Sequence, residues 1–414
     1  MTTLNATPAT VQAQMKAAQP GDALKLEPGD YGHLLFKAVV KAEPGVEVLG
    51  AGATLASLFL TGCEGIAVRG VTMKSEVTQA VKVYTSKRIL IEAFDLSGVP
   101  LTTACLWARW NEDLIIQGCR FHDARHGIFH EGNVRLVIRG NDFRDLHGDG
   151  MRGGLNSDGV LIEDNSGTDL HLQGADHLDF IQFWTTAATK PTRNVTIRRN
   201  HYFRGAGSPA QGILMGDEAG VGYENLLIED NVIVGSLYNG ISVSGGRMPV
   251  VQRNYVQPMD GGFDAKGKAV DKAWIMFRGS DGGQSIDNFA SLFQSYQNVT
   301  EPTNTGFTPV PMAQDGDYAA ARTWMARNDA PSAPADTLDA LIADLKAQLA
   351  AEAEDDAALD ARALEAETRA AGLEAELKAA KASREIVSAD RDDDRAALIA
   401  IQSAAASALA SFPA

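Results

Sequence analysis

The chain has 414 residues, more than one average domain, and 53 acidic against 37 basic residues give it a formal charge of −16. A field of this sign repels nucleic acid and anionic membrane surfaces, so we expect neither as a partner. Three cysteines without a Cys-x-x-Cys spacing exclude a disulfide framework and a cysteine zinc site. The sequence contains no run of about twenty apolar residues, so it predicts no membrane-spanning helix.

Residues 1–20 are predicted to form an N-terminal cap. They lack the basic start and apolar stretch of a secretory signal, so we expect a protein made in the cytoplasm without a signal peptide. Residues 9–19 have the spacing of a short amphipathic helix. Such a helix would cover the open end of a stack of strands, which is otherwise an exposed edge.

A short strand recurs eight times in the next part of the chain. Its central apolar residues are Val68, Ile91, Ile116, Ile138, Ile162, Ile197, Ile228 and Val251, separated by 23, 25, 22, 24, 35, 31 and 23 residues. This spacing is too irregular for a propeller blade or a leucine-rich repeat. The coils of a β-solenoid tolerate loop insertions of this kind, so the repeat predicts a solenoid.

Asparagine stands three residues after the central position in the later copies. These asparagines are Asn141, Asn165, Asn200, Asn231 and Asn254, with Asn288 as a further copy. Asparagine accepts left-handed backbone angles, and its amide can bond to the amide in the next coil. We therefore predict a column of asparagines at one corner of the stack.

A second short strand follows in each repeat. Its copies begin at Ala80, Gly127, Gly150, Phe180, Gly212 and Gly240. The first apolar residue of each copy is predicted to point inward and the next residue outward. With coils about 4.8 Å apart, about nine or ten coils would form a rod of roughly 45 Å.

The N-terminal helix, the segments Pro20-Gly-Asp and Pro28-Gly-Asp-Tyr31, and the repeated Ile-x-x-Asn coils resemble the right-handed parallel β-helix proteins of the pectate-lyase-like superfamily. The resemblance covers about residues 8–295 and implies an all-β right-handed parallel β-helix over residues 21–295. This superfamily includes polysaccharide lyases, hydrolases, uronan epimerases and phage tailspikes. It therefore indicates the fold more specifically than the activity.

The composition changes at residue 336, after which only one of the 40 glycines, Gly372, occurs. Residues 296–335 are predicted to be a C-terminal cap and a Pro/Ala linker. Residues 336–414 are predicted to be an acidic, Ala-rich helical coiled-coil tail, because apolar residues recur there at heptad spacing. Alanine fills many of these positions, so a lone helix would be marginal and we expect the tail to associate with copies of itself. A solvated single helix or a disordered acidic tail is the alternative.

A leaderless β-helix followed by a coiled coil resembles a phage tail spike or tail fibre. The resemblance implies a trimeric, virion-associated protein that binds a host cell-surface polysaccharide, with cleavage by a polysaccharide lyase or glycoside hydrolase activity as an option, and with other virion tail proteins as partners. The coils begin almost at Met1, without a virion-anchoring domain before them, so the tail is the candidate for attachment. The alternatives are a free-standing polysaccharide lyase or uronan epimerase, and a non-catalytic structural fibre or assembly protein.

Seven of the eight histidines lie between residues 122 and 201, and two neighbouring repeats there share a polar motif. The first copy is His147, Asp149 and Arg152, and the second is His177, Asp179 and Gln182. Stacking is predicted to gather these side chains on one lateral face. The candidate catalytic residues are Asp149, Asp179, His147, His177 and Arg152, and the candidate substrate-binding residues are Gln182, Trp184, His130, Glu131, Asp176 and Gln211.

Stacked carboxylates raise one another's pKa, and the pKa of histidine lies near neutrality. Such a cluster suits glycosidic cleavage by two carboxylates, or β-elimination from a uronate by a base and a cation. A purely structural stack, in which each aspartate bonds its own backbone, is the alternative. No cofactor is expected, although Asp149, Asp176 and Asp179 leave a Ca²⁺ site open.

Aromatic residues lie at or near the second-strand positions. They are Trp107, Trp110, Phe129, Trp184, Tyr84 and Tyr238. Flat rings on an exposed sheet suit the apolar faces of sugar rings. They would equally suit contact with a neighbouring subunit, so the sequence leaves both uses open.

Overall fold

The computed structural model describes residues 2–77, 79–98, 104–173, 177–258, 262–263, 269–270, 272–295, 299–300 and 303–306. Within these residues the chain makes eleven successive turns, each with one strand in each of three parallel sheets, here named A, B and C. This architecture confirms the predicted parallel β-helix, with one or two turns more than predicted. No helix of the described residues is long and apolar enough to span a membrane.

The strands are numbered β1 to β38 in chain order. Sheet A contains β1 (Thr3–Ala6), β2 (Ala23–Leu26), β5 (Val46–Leu49), β8 (Glu64–Arg69), β11 (Lys87–Glu92), β14 (Glu112–Gln117), β17 (Val134–Arg139), β20 (Asp158–Glu163), β23 (Thr192–Arg198), β26 (Tyr223–Glu229), β29 (Gly246–Arg247), β30 (Val250–Gln252) and β35 (Gln284–Ile286). Sheet B contains β3 (Gly29–Asp30), β6 (Ala53–Leu55), β9 (Thr72–Ser75), β12 (Asp95–Gly98), β15 (Arg120–His122), β18 (Asp142–Arg144), β21 (Ser166–Thr168), β24 (His201–Phe203), β27 (Val232–Ser236), β31 (Tyr255–Pro258), β36 (Phe289–Ala290) and β38 (Thr305–Gly306).

Sheet C contains β4 (His33–Lys37), β7 (Ser57–Thr61), β10 (Gln79–Tyr84), β13 (Ala104–Arg109), β16 (Ile128–Glu131), β19 (Met151–Gly153), β22 (Asp179–Phe183), β25 (Gln211–Met215), β28 (Asn239–Ser244), β34 (Trp274–Arg278) and β37 (Leu292–Ser295). A separate antiparallel pair is formed by β32 (Gly262–Phe263) and β33 (Ala269–Val270). The inward side chains of all three sheets form one apolar core that runs through the stack.

The N-terminal helix α1 spans Val11–Ala17, two residues shorter at each end than the predicted helix. Val11 and Met15 are buried in the core, and the Lys41 ammonium donates a hydrogen bond to the carbonyl oxygen of Ala18, 2.5 Å away. The Gln12 amide donates to the Leu35 carbonyl oxygen at 2.9 Å. The helix therefore packs against the first turn of the stack.

The sheet A register is the one predicted from the repeat. Ile91 pairs with Val68 on one side and with Ile116 on the other, and the pairing continues in this register to Val251. In sheet C the predicted alternation also holds, since Ile181 is buried in the core whereas Gln182 faces outward. Ser242 also points outward as predicted, although it is buried.

The predicted asparagine column is present and buried. The Asn141 amide nitrogen donates to the Asn165 side-chain oxygen at 3.0 Å and to the Ile116 carbonyl oxygen at 3.0 Å, and the pattern repeats down to Asn304. The prediction that the asparagines themselves have left-handed backbone angles was wrong. The left-handed residue is the one before each asparagine, as at Asp164 with a φ of 56°. The asparagines are selected for their side-chain amides.

Two features of the fold were not predicted. Sheet B has strands of two to five residues, and in β15 only the central Phe121 is buried, so no alternation is visible in the sequence. A second, shorter amide ladder joins Asn111 to Asn133 at 3.0 Å. The linker at residues 329–335 and the tail at residues 336–414 lie outside the described residues, so the coiled coil and the domain boundaries stay predictions.

Candidate functional site

The outward side chains of sheet C form a continuous surface, here named the sheet C face. Its main column contains Phe59, Lys82, Trp107, Phe129, Arg152, Gln182 and Leu214, one residue from each of seven successive strands. Arg152 therefore pairs with Gln182, in the predicted register. A parallel column alongside contains Tyr84, Arg109 and Glu131.

A polar column, buried except for the half-buried Asn239, lies at the start of the sheet C strands. Its members are His126, Asp149, Asp179, Gln211 and Asn239, and they are stacked from turn to turn. The Asp179 backbone N–H donates to the Asp149 carboxylate at 3.0 Å. The Gln211 side-chain oxygen accepts from the Asn239 amide, and Asn239 in turn accepts from the Trp274 indole at 2.7 Å. The predicted stacking of Asp149, Asp179 and Gln211 is present.

Asp179, the middle member of this column, forms a short pair with His177, which reaches the surface. Their Oδ2 and Nδ1 atoms are 2.5 Å apart, while the Asp179 side chain is fully buried and the His177 side chain is 52% exposed. The hydrogen bond to Asp179 raises the pKa of His177 to about 8. Burial raises the pKa of Asp179, and the hydrogen bond from His177 opposes this effect. The pair therefore joins a buried carboxylate to a half-exposed imidazole whose charged form is favoured.

Asp149 is held by Arg152, whose Nη1 atom lies 3.1 Å from its Oδ2 atom. Burial, and then the nearby charge of Asp179, raises the pKa of Asp149 to about 7. The guanidinium of Arg152 also lies over the Trp184 ring, 4.8 Å from its centroid. Arg152 thus joins the buried carboxylate to the half-buried aromatic side chains.

His126 belongs to this site and was missed in the sequence. Its Nδ1 atom accepts a hydrogen bond from the Asp149 backbone N–H at 2.8 Å, and its Nε2 atom lies 3.0 Å from the Arg152 guanidinium. Burial lowers the pKa of His126 to about 3, so the ring is neutral. The sequence feature that could have identified His126 is its position immediately before Gly127, where a second strand was predicted to begin.

His147 and His130 do not join the cluster. The His147 ring packs with His171 instead, with centroids 5.6 Å apart, and the described residues give it no hydrogen bond to either aspartate. The fully buried His130 occupies an inward position of β16 and lies edge-on to Phe183, so its assignment to substrate binding is corrected. Burial lowers the pKa of His130 to about 3. Asp176 lies outside the described residues.

An aromatic and cationic patch adjoins the cluster on the sheet C face. Trp107 stacks on Phe129 with centroids 4.3 Å apart, and Trp184 meets Phe129 edge-on at 5.6 Å. Arg109, which the sequence did not single out, lies 4.6 Å from the Trp107 centroid and pairs with Glu131 at 3.0 Å. Trp110 is exposed beside this patch, and Tyr238 packs on Trp274 further along the stack.

The described residues contain no group of three histidine, cysteine, aspartate or glutamate side chains arranged to hold a metal ion. Asp149 and Asp179 instead bind Arg152, His177 and the backbone. Since the third proposed ligand, Asp176, lies outside the described residues, calcium binding stays a prediction.

Comparison with known proteins agrees with the fold. Residues 56–256 match the family described as right handed beta helix region. A surface adhesin of Streptococcus pneumoniae, PfbA, is similar over 71% of this chain and 88% of its own, at 13% identity and a TM-score of 0.50. No protein with a curated description matches the sequence.

Two further solved structures are similar at lower TM-scores. An alginate lyase from Paenibacillus sp. str. FPU-7 is 16% identical, with 74% of this chain and 99% of that chain covered and a TM-score of 0.47. A tailspike protein of E. coli bacteriophage HK620 is 10% identical, with 74% and 60% covered and a TM-score of 0.46. Together with the three parallel sheets, the match over residues 56–256 shows that the described part of the chain folds as a right-handed parallel β-helix.

Proposed function

We propose that the protein binds a polysaccharide along the sheet C face. The observation that carries this proposal is the position of Trp107 and Phe129 in the same outward column as Arg152 and Gln182. Aromatic rings offer flat apolar surfaces for sugar rings, and a guanidinium donates hydrogen bonds to hydroxyl and carboxylate oxygens. Successive strands repeat these groups along the stack, as an extended polymer requires.

Cleavage by β-elimination is the reaction that this cluster supports best, with an acidic polysaccharide as the substrate. Both Asp149 and Asp179 are buried, so they cannot flank a glycosidic bond from two sides, whereas His177 is half-exposed. Neutral His177, the form that prevails above about pH 8, would remove the proton next to the sugar carboxylate, and Arg152 would neutralise that carboxylate. A carbon–carbon double bond then forms, the bond to the leaving sugar oxygen breaks, and that oxygen takes a proton from water.

The biological setting in this proposal is a phage tail spike or tail fibre. The protein would be a homotrimer that contacts other virion tail proteins and a host cell-surface polysaccharide. The acidic heptad tail predicted at residues 336–414 supports self-association. Mass measurement of the chain with and without these residues tests it, and a monomer in both cases would exclude the trimer.

Binding and cleavage are tested separately. The full chain is mixed with capsular and uronic polysaccharides, and polymer retention and the ultraviolet absorbance of unsaturated sugars are both measured. Trp107→Ala should weaken retention at least fivefold, whereas Leu35→Ala, which pairs with Phe59 one strand beyond the N-terminal end of the column, should leave it unchanged. If the polysaccharide is retained but no absorbance of unsaturated sugars appears, the protein binds the polymer without cleaving it. Equal retention by both variants would overturn the sheet C face as the binding surface.

A further inference from the structure

The imidazole ring of His126 faces a hydrogen-bond donor at each of its two nitrogen atoms. The Asp149 backbone N–H donates to Nδ1 at 2.8 Å, and the Arg152 Nη1 atom lies 3.0 Å from Nε2. A neutral imidazole has one acceptor nitrogen and one N–H, a charged imidazole has two N–H groups, and a guanidinium has no acceptor. Neither form of the ring can therefore accept hydrogen bonds at both nitrogens.

The contact with the Asp149 backbone determines which nitrogen of the ring carries the proton. The Gly127 backbone N–H donates to the Asp149 carbonyl oxygen at 3.1 Å, and the Asp179 backbone N–H donates to the Asp149 carboxylate at 3.0 Å, so neighbouring turns hold Asp149 on both sides. Burial lowers the pKa of His126 to about 3, so the ring is neutral at physiological pH. Nδ1 is therefore the acceptor, and the Nε2–H points at the Arg152 guanidinium.

Arg152 has few favourable polar contacts in this position. Its Nε atom is buried and has no hydrogen-bond partner among the described residues. Its Nη1 atom faces the Nε2–H of His126 and forms an ion pair with Asp149 at 3.1 Å. Burial raises the pKa of Asp149 to about 7, so this partner is largely neutral in mildly acidic solution. Since the Asp149 backbone is fixed and the Arg152 side chain is long, Arg152 is the group that can move.

We propose that the Nε2–H of His126 and the guanidinium of Arg152 together bind the carboxylate of an acidic sugar. A carboxylate only accepts hydrogen bonds and has two oxygen atoms, so each oxygen can accept from one of the two donors. The His126 side chain is 9% exposed and that of Arg152 is 27% exposed, so the carboxylate reaches the Nε2–H when the guanidinium turns outward. This inference rests on the proposed function and adds a residue that selects charged over uncharged sugars.

NMR of the imidazole nitrogens tests the donor pair without a polysaccharide. In the full chain, the proton of the His126 ring should be on Nε2, and His126→Asn identifies the signal by its loss. Acetate, a simple carboxylate, should shift the Nε2–H signal, whereas chloride at the same concentration should not. If acetate has no more effect than chloride, the proposal is overturned.

Two substitutions of His126 separate its contact with the Asp149 backbone from its contact with a ligand. Asparagine places an oxygen near the Nδ1 position and has no group at the Nε2 position, whereas the amide of glutamine reaches the Nε2 position. His126→Asn should lower the preference for a uronate oligosaccharide over its methyl ester at least fivefold. His126→Gln should restore that preference, although the protein should be less stable. His122→Asn makes the same change on sheet B, where His122 pairs with Asp95 at 2.8 Å, and should leave the preference unchanged.

The inference and the proposed function fail in different ways. If acetate shifts the Nε2–H signal but no oligosaccharide binds, the donor pair stands and the proposed polysaccharide function is wrong. If oligosaccharides bind and His126→Asn keeps the preference of the unmodified chain, the proposed function stands and the inference is overturned. A purely structural role of His126 would make His126→Gln, which lacks the acceptor for the Asp149 backbone, the more damaging substitution for ligand preference.

Discussion

The Nδ1 atom of His177 lies 2.5 Å from the Oδ2 atom of Asp179, although one side chain is half-exposed and the other fully buried. The buried carboxylate stabilises the charged imidazole, which raises the pKa of His177 to about 8. The buried Asp179 therefore stabilises a positive charge on His177, which lies at the surface. Removing either partner should change the titration of the other.

Asp179→Asn should lower the pKa of His177 by at least one unit, because the hydrogen bond to Asp179 is the largest cause of its elevation. The imidazole titration followed by NMR measures this shift, with the unmodified chain as the reference. The stabilising interaction is fully present below pH 6.5 and is lost as the pH rises through about 8, since the folded-state pKa is the higher one. Its contribution is about 1 kcal/mol after solvent screening.

Urea unfolding of the unmodified chain and of His177→Gln at pH 6.5 and pH 9 checks the sign. The difference in free energy of unfolding between the two proteins should shrink at the higher pH. A difference that grows with pH would mean that His177 is not stabilised in its charged form.

Asn200→Ala should destabilise the fold by about 3 kcal/mol, because it leaves buried hydrogen-bonding groups without partners. Asn200 donates to the Ile162 carbonyl oxygen at 2.9 Å and accepts from the Asn165 backbone at 3.1 Å. Gln252→Ala, which removes an outward amide that donates to Glu229, should cost less than about 1 kcal/mol. Denaturant midpoints of the two variants measure the contrast, and equal losses would show that the column is not a main source of stability.

The amide column and the core register were readable from the sequence because each depends on one residue type at one repeated position. Sheet B was not, because a strand such as Arg120–His122 buries one side chain and gives no period. In the site, the stacking of Asp149 on Asp179 followed from the repeat. His147 does not contact His177 as predicted, because its ring packs with His171 instead. The loop lengths at this corner differ from turn to turn, so the repeat alone could not predict the contact. His130 was misassigned although the alternation predicted for its strand, with Ile128 inward and Phe129 outward, already places His130 inward.

Gly153→Ala should be more damaging than Gly140→Ala, although both glycines have a positive φ. A Cβ atom at residue 153 would stand 1.8 Å from the His130 carbonyl oxygen, whereas nothing lies within 4 Å at residue 140. The backbone cost alone is about 1 kcal/mol, so Gly140→Ala should lose roughly that amount and Gly153→Ala about 3 kcal/mol or more. Thermal and urea unfolding measure both. Similar losses would mean that the turn beside Arg152 relaxes without cost.

Lys82→Gln should weaken the retention of an anionic polysaccharide three- to tenfold while leaving that of a neutral polysaccharide unchanged. Lys82 occupies the sheet C face, and its ammonium lies 4.5 Å from the Phe59 ring centroid. The charge contribution is screened by salt, so the difference from the unmodified protein should shrink as ionic strength rises. Lys87→Gln removes the same charge from the nearby sheet A, where Lys87 pairs with Glu112, and should have no effect on retention. Equal weakening by both variants would indicate that net charge, rather than the sheet C face, determines binding.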